Sequence, residues 1–320
     1  MRSWVVGRGG LLGASVDEAC AARGTVHRPA VALPWSASAD LHERLREESA
    51  AFFASIGDDP WMVLWCAGRG TLAATDDDMA ADTAALDALL TGIEAACPAP
   101  ARERGIVFHA SSVGGLYAGS TSPPFTEFTE PAPTTPYGRA KLIQEQRLAA
   151  WAPRAGVRVL IGRISNLYGA RQDLAKNQGL ISTLCASILR RRPINLFVPL
   201  ETSRNYIHVA DAARVALDAA ALLLADDAPG RVTVKLIVSE ENVTIASLLG
   251  TAGQLTRVRP LVTLGGGARS APQPRNIHLR SVVLPQADAH PKLSIPVGMK
   301  RVMMEMEAQY FRHGWAAPPR

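Results

Sequence analysis

The sequence lacks paired cysteines, long apolar runs and a clustered excess of one charge. Its four cysteines lie far apart and form neither a CxxC pair nor a metal-ligand spacing, so we expect reduced thiols and no metal site. No run reaches the roughly 18 apolar residues that a membrane-spanning helix needs. The N-terminus also lacks the pattern of a signal peptide. The sequence therefore predicts a cytoplasmic protein with no membrane partner.

Charge and composition narrow the class of protein further. Thirty-four Lys and Arg against 29 Asp and Glu leave a net charge of +5, which is spread along the chain. Because nucleic-acid-binding proteins normally cluster their basic residues, nucleic acid is not an expected partner. Small anionic molecules remain open as partners. With 320 residues, 48% of them hydrophobic, the chain can bury a substantial core as one large α/β unit or two closely joined domains.

Short apolar runs alternate with longer amphipathic stretches over the first two-thirds of the chain. This pattern predicts parallel strands joined by helices. The predicted strands are Ser3 to Val6, Thr25 to Arg28, Trp61 to Cys66, Gly105 to Ala110 and Val157 to Ile161. The predicted helices are Leu12 to Ala22, Ala39 to Ser55, Ala81 to Cys97 and Tyr137 to Trp151. A Pro-rich stretch, Ser122 to Pro136, interrupts the alternation, and a loop of that size is usually functional.

The predicted fold is a Rossmann-type, doubly wound parallel sheet with a smaller C-terminal substrate lobe. Further strands are expected at Ile194 to Val198 and at 232–239, and Thr244 is placed to cap a helix that begins at Ile245. We assign residues 1–169 to the dinucleotide-binding domain, with 203–240 returning to it. Residues 170–202 and 241–320 are assigned to the substrate lobe.

A glycine-rich turn follows the first predicted strand. Between a strand and a helix, such glycines permit a tight turn, let a pyrophosphate approach the backbone amides at the helix N-terminus, and allow close packing of helix on strand. The turn therefore predicts a dinucleotide site. Its residues are Gly7, Arg8, Gly10, Leu11, Leu12 and Gly13.

The end of the second predicted strand indicates which dinucleotide binds. An acidic residue there would bond a free ribose 2′-hydroxyl, but the segment 24–31 reads GTVHRPAV. Arg28, together with Arg8, could instead clamp a 2′-phosphate, because a guanidinium matches phosphate geometry. NADP is therefore favoured over NAD. The alternative is that both arginines are solvated surface residues.

Tyr137 and Lys141 begin a predicted helix and lie four residues apart, so their side chains share one face. Lowering the pKa of a phenol from about 10 by about 3 units takes roughly 4 kcal/mol, which a neighbouring ammonium and a bound nicotinamide can supply. Tyr137 would then move a hydroxyl proton during hydride transfer, while Lys141 would also hold the nicotinamide ribose. Ser112 follows a strand at the carboxyl edge of the sheet, where it could bond the reacting oxygen.

These features and several later motifs resemble the extended short-chain dehydrogenases/reductases of the NAD-dependent epimerase/dehydratase family, the branch that includes UDP-galactose 4-epimerase. The matching motifs are GRGGLLG at 7–13, CAGRG at 66–70, HASSVGGLYAG at 109–119, PYGRAK at 136–141, GRISNLYG at 162–169, SRNYIHVAD at 203–211 and VSEENVTIASLL at 238–249.

The resemblance implies an NAD(P)-dependent enzyme that acts on a nucleotide-linked sugar, and it implies specific roles for single residues. Ser112, Tyr137 and Lys141 fall on the family's catalytic positions. Ala67 and Gly68 fall where a loop passes the cofactor. Asn166 falls where relatives contact the diphosphate or sugar, and Arg204 matches a diphosphate-binding arginine, a role that suits a bidentate guanidinium. The family also pairs the helices predicted at 81–97 and 137–151 across a homodimer.

The sequence departs from the family in several places, among them Asn205 and Ala210, which stand where aspartates are usual, and several functions stay open. One helix fills the stretch before Trp61, which leaves little room for the usual third strand. The spacing to Tyr117 is one residue longer than in many relatives, so either Ser111 or Ser112 could face the substrate. Epimerase, dehydratase and ketoreductase chemistry all remain open. So do reduction of a small non-sugar carbonyl compound and a non-catalytic role as an NADP sensor.

Overall fold

A computed structural model of the chain describes residues 1–35, 38–68, 74–176, 179–226, 228–239, 241–265 and 277–314. Its strands within these residues are β1 (Arg2–Val6), β2 (Thr25–His27), β3 (Trp61–Trp65), β4 (Gly105–Ser112), β5 (Arg158–Ile164), β6 (Asn166–Tyr168), β7 (Ile194–Leu196), β8 (Ser203–His208), β9 (Val232–Ile237), β10 (Asn242–Thr244) and β11 (Val262–Leu264). Its helices are α1 (Leu11–Ala21), α2 (Ser38–Ser55), α3 (Asp76–Ala96), α4 (Ala99–Arg102), α5 (Val113–Leu116), α6 (Pro136–Ala155), α7 (Leu180–Leu189), α8 (Val209–Leu224), α9 (Ile245–Thr256) and α10 (Ile295–His313).

Six of these strands form the central sheet, in the order β2-β1-β3-β4-β5-β9, with every neighbouring pair parallel. The strand order runs outward from β1 in both directions, which confirms the predicted doubly wound fold. Because the winding reverses between β1 and β3, the carboxyl ends of these two strands border the crevice where open α/β sheets bind ligands. In the described stretches between β2 and β3, the chain forms α2 and no strand, as expected.

Helices cover both faces of this sheet. Every residue of β3 is buried, which is typical of a parallel strand with helices on both sides. Along β1, successive side chains face opposite layers: Trp4 packs in an apolar cluster with α2, α3 and α6, whereas Val5 packs in a second cluster with α1 and α8. The predicted alternation of strands and helices therefore builds a three-layer core.

A further apolar cluster lies among the elements after β5. Strands β6, β8 and β10 form a three-stranded sheet, and β7 pairs with β11. Side chains of α7, α9 and α10, including Leu184, Leu248 and Met299, share one buried cluster with Tyr168 of β6. The division into 1–169 with 203–240, and 170–202 with 241–320, stays a prediction.

The helix and strand bounds differ from the predicted ones where local contacts extend an element. Helix α3 begins at Asp76, five residues before the predicted start at Ala81, because Thr75 and Asp78 form a reciprocal capping box. Strand β4 continues through Ser112, paired with β5 as far as Ile164. The predicted cap of α9 is confirmed, since the Thr244 hydroxyl accepts from the Ser247 amide at 3.1 Å.

The Pro-rich loop between α5 and α6 is fastened to the sheet by a buried carboxylate. Glu127 accepts hydrogen bonds from the amides of Leu236 and Val282 and from the Ser281 hydroxyl, the last at 2.6 Å. Ser281 also accepts from the fully buried ammonium of Lys235, which forms an ion pair with Asp288. The loop is thus tied both to β9 and to the segment before α10. Within the described residues, no helix is both long and apolar enough to cross a membrane.

Candidate active site

The glycine turn packs directly against the loop that follows β3. Gly7 has a φ of +92°, and a Cβ placed on it would lie 2.6 Å from the Ala67 amide nitrogen. A Cβ on Gly13 would lie 2.1 Å from the Gly7 carbonyl oxygen, so α1 can start this close to β1 only with glycine there. The structure therefore brings the predicted cofactor turn and Ala67 together at the switch point of the sheet.

The start of α1 has the features of an anion site. Gly10 is the N-cap and supplies no side-chain cap, and the first turn carries no acidic residue. The first amides of a helix have no intrahelical acceptor, and the helix dipole adds positive potential there. A Cβ on Gly9 would meet no atom within 4 Å, so the turn leaves open space beside these amides. The residues present fit the diphosphate of a dinucleotide.

The predicted 2′-phosphate site holds an ion pair. Arg28 donates to Asp17 of α1 at 2.7 Å, and this carboxylate raises the pKa of the guanidinium. His27 Nε2 lies 2.9 Å from Glu48 Oε2 and the ring packs edge-on against Trp4, so the half-buried ring packs against the core. Arg8 is exposed on the glycine turn. Arg28 is therefore near the end of β2, as predicted, with Asp17 as a partner that the sequence pattern did not reveal.

Two glycines bring Tyr137 against Ser112. Thr135 caps α6 by accepting from the Gly138 amide at 3.1 Å, and Ser112 caps α5 by accepting from the Gly115 amide at 3.2 Å. A Cβ on Gly138 would lie 2.1 Å from the Gly115 carbonyl oxygen, and one on Gly115 would lie 3.1 Å from the Tyr137 ring. Only glycine lets α5 and α6 approach this closely.

The surroundings of the Tyr137 phenol raise its pKa. Burial is the largest cause, the nearby Ser112 side chain opposes it, and the charge of Asp82 adds to it. This direction is opposite to the one that the sequence argument required for catalysis. The chain alone does not make the phenol acidic, because removal from water disfavours the phenolate.

Lys141 is buried and its ammonium is held by two oxygens. Its Nζ donates to the Ala110 carbonyl at 3.0 Å and to Gln144 Oε1 at 3.1 Å, and it lies 6.0 Å from the centre of the Tyr137 ring. Burial lowers the pKa of Lys141 to about 8, although the charge of Asp82 opposes the shift. Tyr137 and Lys141 therefore do share one site, as their spacing predicts.

Ser111 points into a buried polar network rather than toward Tyr137. Its hydroxyl donates to Glu145 at 2.6 Å, and Glu145 forms a buried ion pair with Arg163 at 2.7 Å. Arg163 also donates to the Tyr117 hydroxyl at 2.6 Å. Of the two serines left open by the sequence, Ser112 is the one whose side chain acts on the phenol, where it lowers the pKa.

Asn166 and Arg204 lie on neighbouring strands, since β6 pairs with β8. The Asn166 side chain is exposed at the start of β6 and donates to the Asn205 carbonyl at 2.8 Å. Arg204 is only 9% exposed and donates to the Ser203 carbonyl at 2.9 Å, and burial lowers its pKa. The structure places both residues on one small sheet.

Sequence reasoning missed three polar residues of the site. Asp82 of α3 faces Gly68, where a Cβ would lie 3.5 Å from its carboxylate oxygen. Gln144 and Glu145 follow Lys141 on α6 at helical spacings of three and four. That spacing was a usable signal, because such residues lie on the same face as Lys141. Arg69 and Gly70 of the CAGRG motif lie outside the described residues.

The model of the NAD dependent epimerase/dehydratase family matches residues 4–234 of the chain. The chain belongs to this family. Among curated proteins, this epimerase/dehydratase family member is 29% identical over 141 residues to the dTDP-4-dehydro-6-deoxyglucose reductase of Escherichia coli, covering 44% of this chain and 43% of the relative. It is 32% identical over 111 residues to the dTDP-L-rhamnose 4-epimerase of Burkholderia thailandensis, covering 33% of this chain and 31% of the relative. Each alignment thus spans less than half of the curated relative.

Two solved structures share the fold over nearly the whole chain. The UDP-glucose 4-epimerase of Thermotoga maritima with UDP-glucose superposes with a TM-score of 0.76 at 20% identity, covering 97% of this chain and 100% of that one. The RMD protein of Pseudomonas aeruginosa with NADPH gives a TM-score of 0.75 at 20% identity, covering 96% of this chain and 98% of that one. At these identities, the similarity shows that this family member has the same fold.

Proposed function

We propose that this family member catalyses the reversible oxidation of a carbinol carbon in a nucleotide-linked sugar, with NAD(P) as its cofactor. The observation that carries the proposal is the meeting of Ser112, Tyr137 and Lys141 at the carboxyl edge of a parallel sheet whose switch point holds a glycine turn. Relatives named as dTDP-sugar reductase and epimerase, and a neighbour solved with UDP-glucose, support the substrate class.

The cofactor would lie across the switch point. Amides of Leu11, Leu12 and Gly13 would hold its diphosphate, because the Gly10 amide already donates to the Gly7 carbonyl at 3.0 Å. Ala67 and Gly68 would border the cofactor, and Lys141 would bond the nicotinamide ribose. Bound NAD(P) would supply a hydride acceptor or donor. We favour NADP because β2 is followed by Arg28 and carries no acidic residue at its end. The ion pair with Asp17 orients that guanidinium, and Arg8 on the turn is a second cation for the same phosphate.

The chain's own residues divide the proton chemistry among three side chains. Tyr137 Oη takes the proton from the substrate hydroxyl in oxidation and returns it in reduction. Ser112, whose side chain lies near that phenol, orients the reacting oxygen. Lys141 keeps a positive charge beside the ring, which favours the phenolate against the effect of burial. The charge of the occupied cofactor site would have to complete the lowering of the Tyr137 pKa.

Substrate recognition would come from the strands after β5. Arg204 is the residue that we expect to bind the diphosphate, since a partly buried guanidinium binds phosphate in two-point contacts. Asn166 is exposed beside it and would bond the diphosphate or the sugar. Both epimerisation and net reduction use the same proton and hydride steps. Epimerisation and net reduction can be distinguished by denaturing the purified protein and identifying any released cofactor. A tightly retained cofactor favours epimerisation, and an empty site favours a reductase.

The decisive experiment replaces the phenol. Tyr137→Phe should lower turnover of UDP- or dTDP-linked hexoses at least about a hundredfold, within the range for removing an acid–base group. Its affinity for NADPH, measured by titration calorimetry, should stay close to that of the natural chain. Turnover near the natural level in this variant would refute the assignment. A cytoplasmic location and a homodimer stay predictions from the sequence.

A further inference from the structure

A polar relay connects α3 to the ammonium of Lys141. The Thr83 hydroxyl donates to the Met79 carbonyl at 2.9 Å, so only its lone pairs are left for other groups. Gln144 Nε2 donates to that hydroxyl at 3.2 Å, and Gln144 Oε1 accepts from Lys141 Nζ at 3.1 Å. Because Thr83 fixes which end of the amide faces it, the oxygen of Gln144 must face the ammonium.

This relay is buried and leaves the ammonium partly available. Gln144 is 2% exposed, so its amide has no route to water and depends on these partners. An ammonium has three donors, and the Ala110 carbonyl and Gln144 take two of those of Lys141. Within the described part of the chain, the third N–H donor of Lys141 has no hydrogen-bond acceptor, so it can donate to the cofactor ribose.

We propose that Thr83 and Gln144 are positioning residues that fix the Lys141 ammonium beside Tyr137 in its charged form. The inference rests on the proposed function, since it gives these residues a part in the same proton chemistry. It assigns them no contact with substrate.

The relay matters because several groups act on the same ammonium. Burial lowers the pKa of Lys141 to about 8, while Asp82 of α3, Glu145 of α6 and the Cys66 thiol favour the charged form. His109 of β4 also lies within electrostatic range of Lys141, and burial keeps that imidazole neutral. With the pKa this close to neutral pH, the hydrogen bond that Nζ donates to Gln144 Oε1 adds to the stability of the charged form of the lysine.

The charge on Lys141 can be followed by NMR. The chain has five lysines, so a lysine-labelled sample gives few signals to resolve. The full-length protein is labelled with ε-¹³C-lysine, the Lys141 signal is assigned with Lys141→Arg, and its shift is recorded against pH. Gln144→Leu should lower the midpoint of Lys141 by about one pH unit, as expected for losing a hydrogen bond to a charged group. Gln144→Glu should raise it by about as much.

Thr83 supplies the matched test. Thr83→Val replaces the hydroxyl with a methyl group and should lower the Lys141 midpoint, although by less than Gln144→Leu does. Thr83→Ser keeps a hydroxyl, so its Lys141 midpoint should equal that of the natural chain. Thr91→Val is the control, because its hydroxyl donates to a carbonyl one turn back on the same helix but is exposed. The control should leave the midpoint in place. If Gln144→Leu does not fold, the Thr83 pair carries the same comparison.

A Lys141 midpoint that is the same in the natural chain, Gln144→Glu and Thr83→Val would overturn the relay. Because the signal needs neither substrate nor turnover, this failure is distinct from failure of the proposed function, which Tyr137→Phe tests. In active protein, the alkaline limb of kcat should move in the same direction as the Lys141 midpoint in each variant. If kcat falls but the pH of its alkaline limb does not change, Thr83 and Gln144 have only a structural role.

Discussion

The Ser112 side chain lies close enough to the Tyr137 phenol to favour its ionised form, although the serine ends a strand and the tyrosine begins a distant helix. Its neighbour Ser111 donates instead to Glu145. Successive side chains of a strand face opposite sides of the sheet, so two adjacent serines at the end of β4 cannot face the same partner. One serine serves the candidate site and the other serves the buried network behind it.

We expect Ser112→Ala to raise the pKa of Tyr137, because the polar side chain that it removes is the group that lowers that pKa. The rise should be about one unit. It can be measured by phenolate absorbance in the ultraviolet, with Tyr137→Phe as the blank. Activity that needs the phenolate should then appear only at higher pH.

Ser111→Ala is the control for that measurement. It should leave the Tyr137 titration unchanged but lower the free energy of unfolding by about 1–3 kcal/mol, since a buried carboxylate loses a donor. Equal shifts of the Tyr137 titration in the two serine variants would contradict the assignment of Ser112.

The preference for NADP can be tested at Arg28. Arg28→Ala should weaken NADPH binding about tenfold, because a contact to a charged group is lost, and should leave NADH binding nearly unchanged. Arg23→Ala is the control, since Arg23 is paired with Asp218 of α8. Equal losses for NADPH and NADH would remove the 2′-phosphate hypothesis.

Stability should depend on pH through Lys141. Its folded pKa of about 8 lies below the unfolded value, so the unfolded chain binds more protons between these two values. Burial of the charged lysine therefore costs stability below pH 8, and the cost disappears as pH rises toward the unfolded value. Relative to Lys141→Met, the natural chain should gain about 3 kcal/mol over this interval. Urea unfolding at several pH values measures the gain, and a constant difference would contradict it.

The buried pair of Lys235 and Asp288 should matter more than an exposed pair. Asp288→Asn leaves the fully buried ammonium without its counter-charge, so we expect a loss of about 3 kcal/mol in the free energy of unfolding. Asp226→Asn, which breaks an exposed pair with Arg231, should cost less than about 1 kcal/mol. Denaturant unfolding compares the two, and similar losses would show that the buried pair adds nothing.

Elements with a strong local signal were predictable from the sequence. Strand β3 is an unbroken apolar run because both of its faces are buried, and the spacing of Tyr137 and Lys141 follows from the geometry of one helix. The cap at Thr244 was predictable for the same reason. The capping box at Thr75 is equally local. The predicted start of α3 is Ala81 because the apolar pattern of the helix begins only there.

Contacts between distant elements were not predictable in this way. The partner of Arg28 is Asp17, and the pKa direction of Tyr137 is set mainly by burial under several elements. No pattern along one helix or strand encodes either fact. The sequence could therefore indicate which groups meet, while the sign of their effects on one another required their surroundings in three dimensions.

The contact of Gly115 with Gly138 gives the protein a point at which reactivity can be lost without touching a reactive group. A single methyl group at either position would wedge the short helix away from the long one. The phenol, the hydroxyl and the ammonium would all survive such a change, yet the Ser112 hydroxyl, which caps the short helix, would no longer be within reach of Tyr137 on the long one.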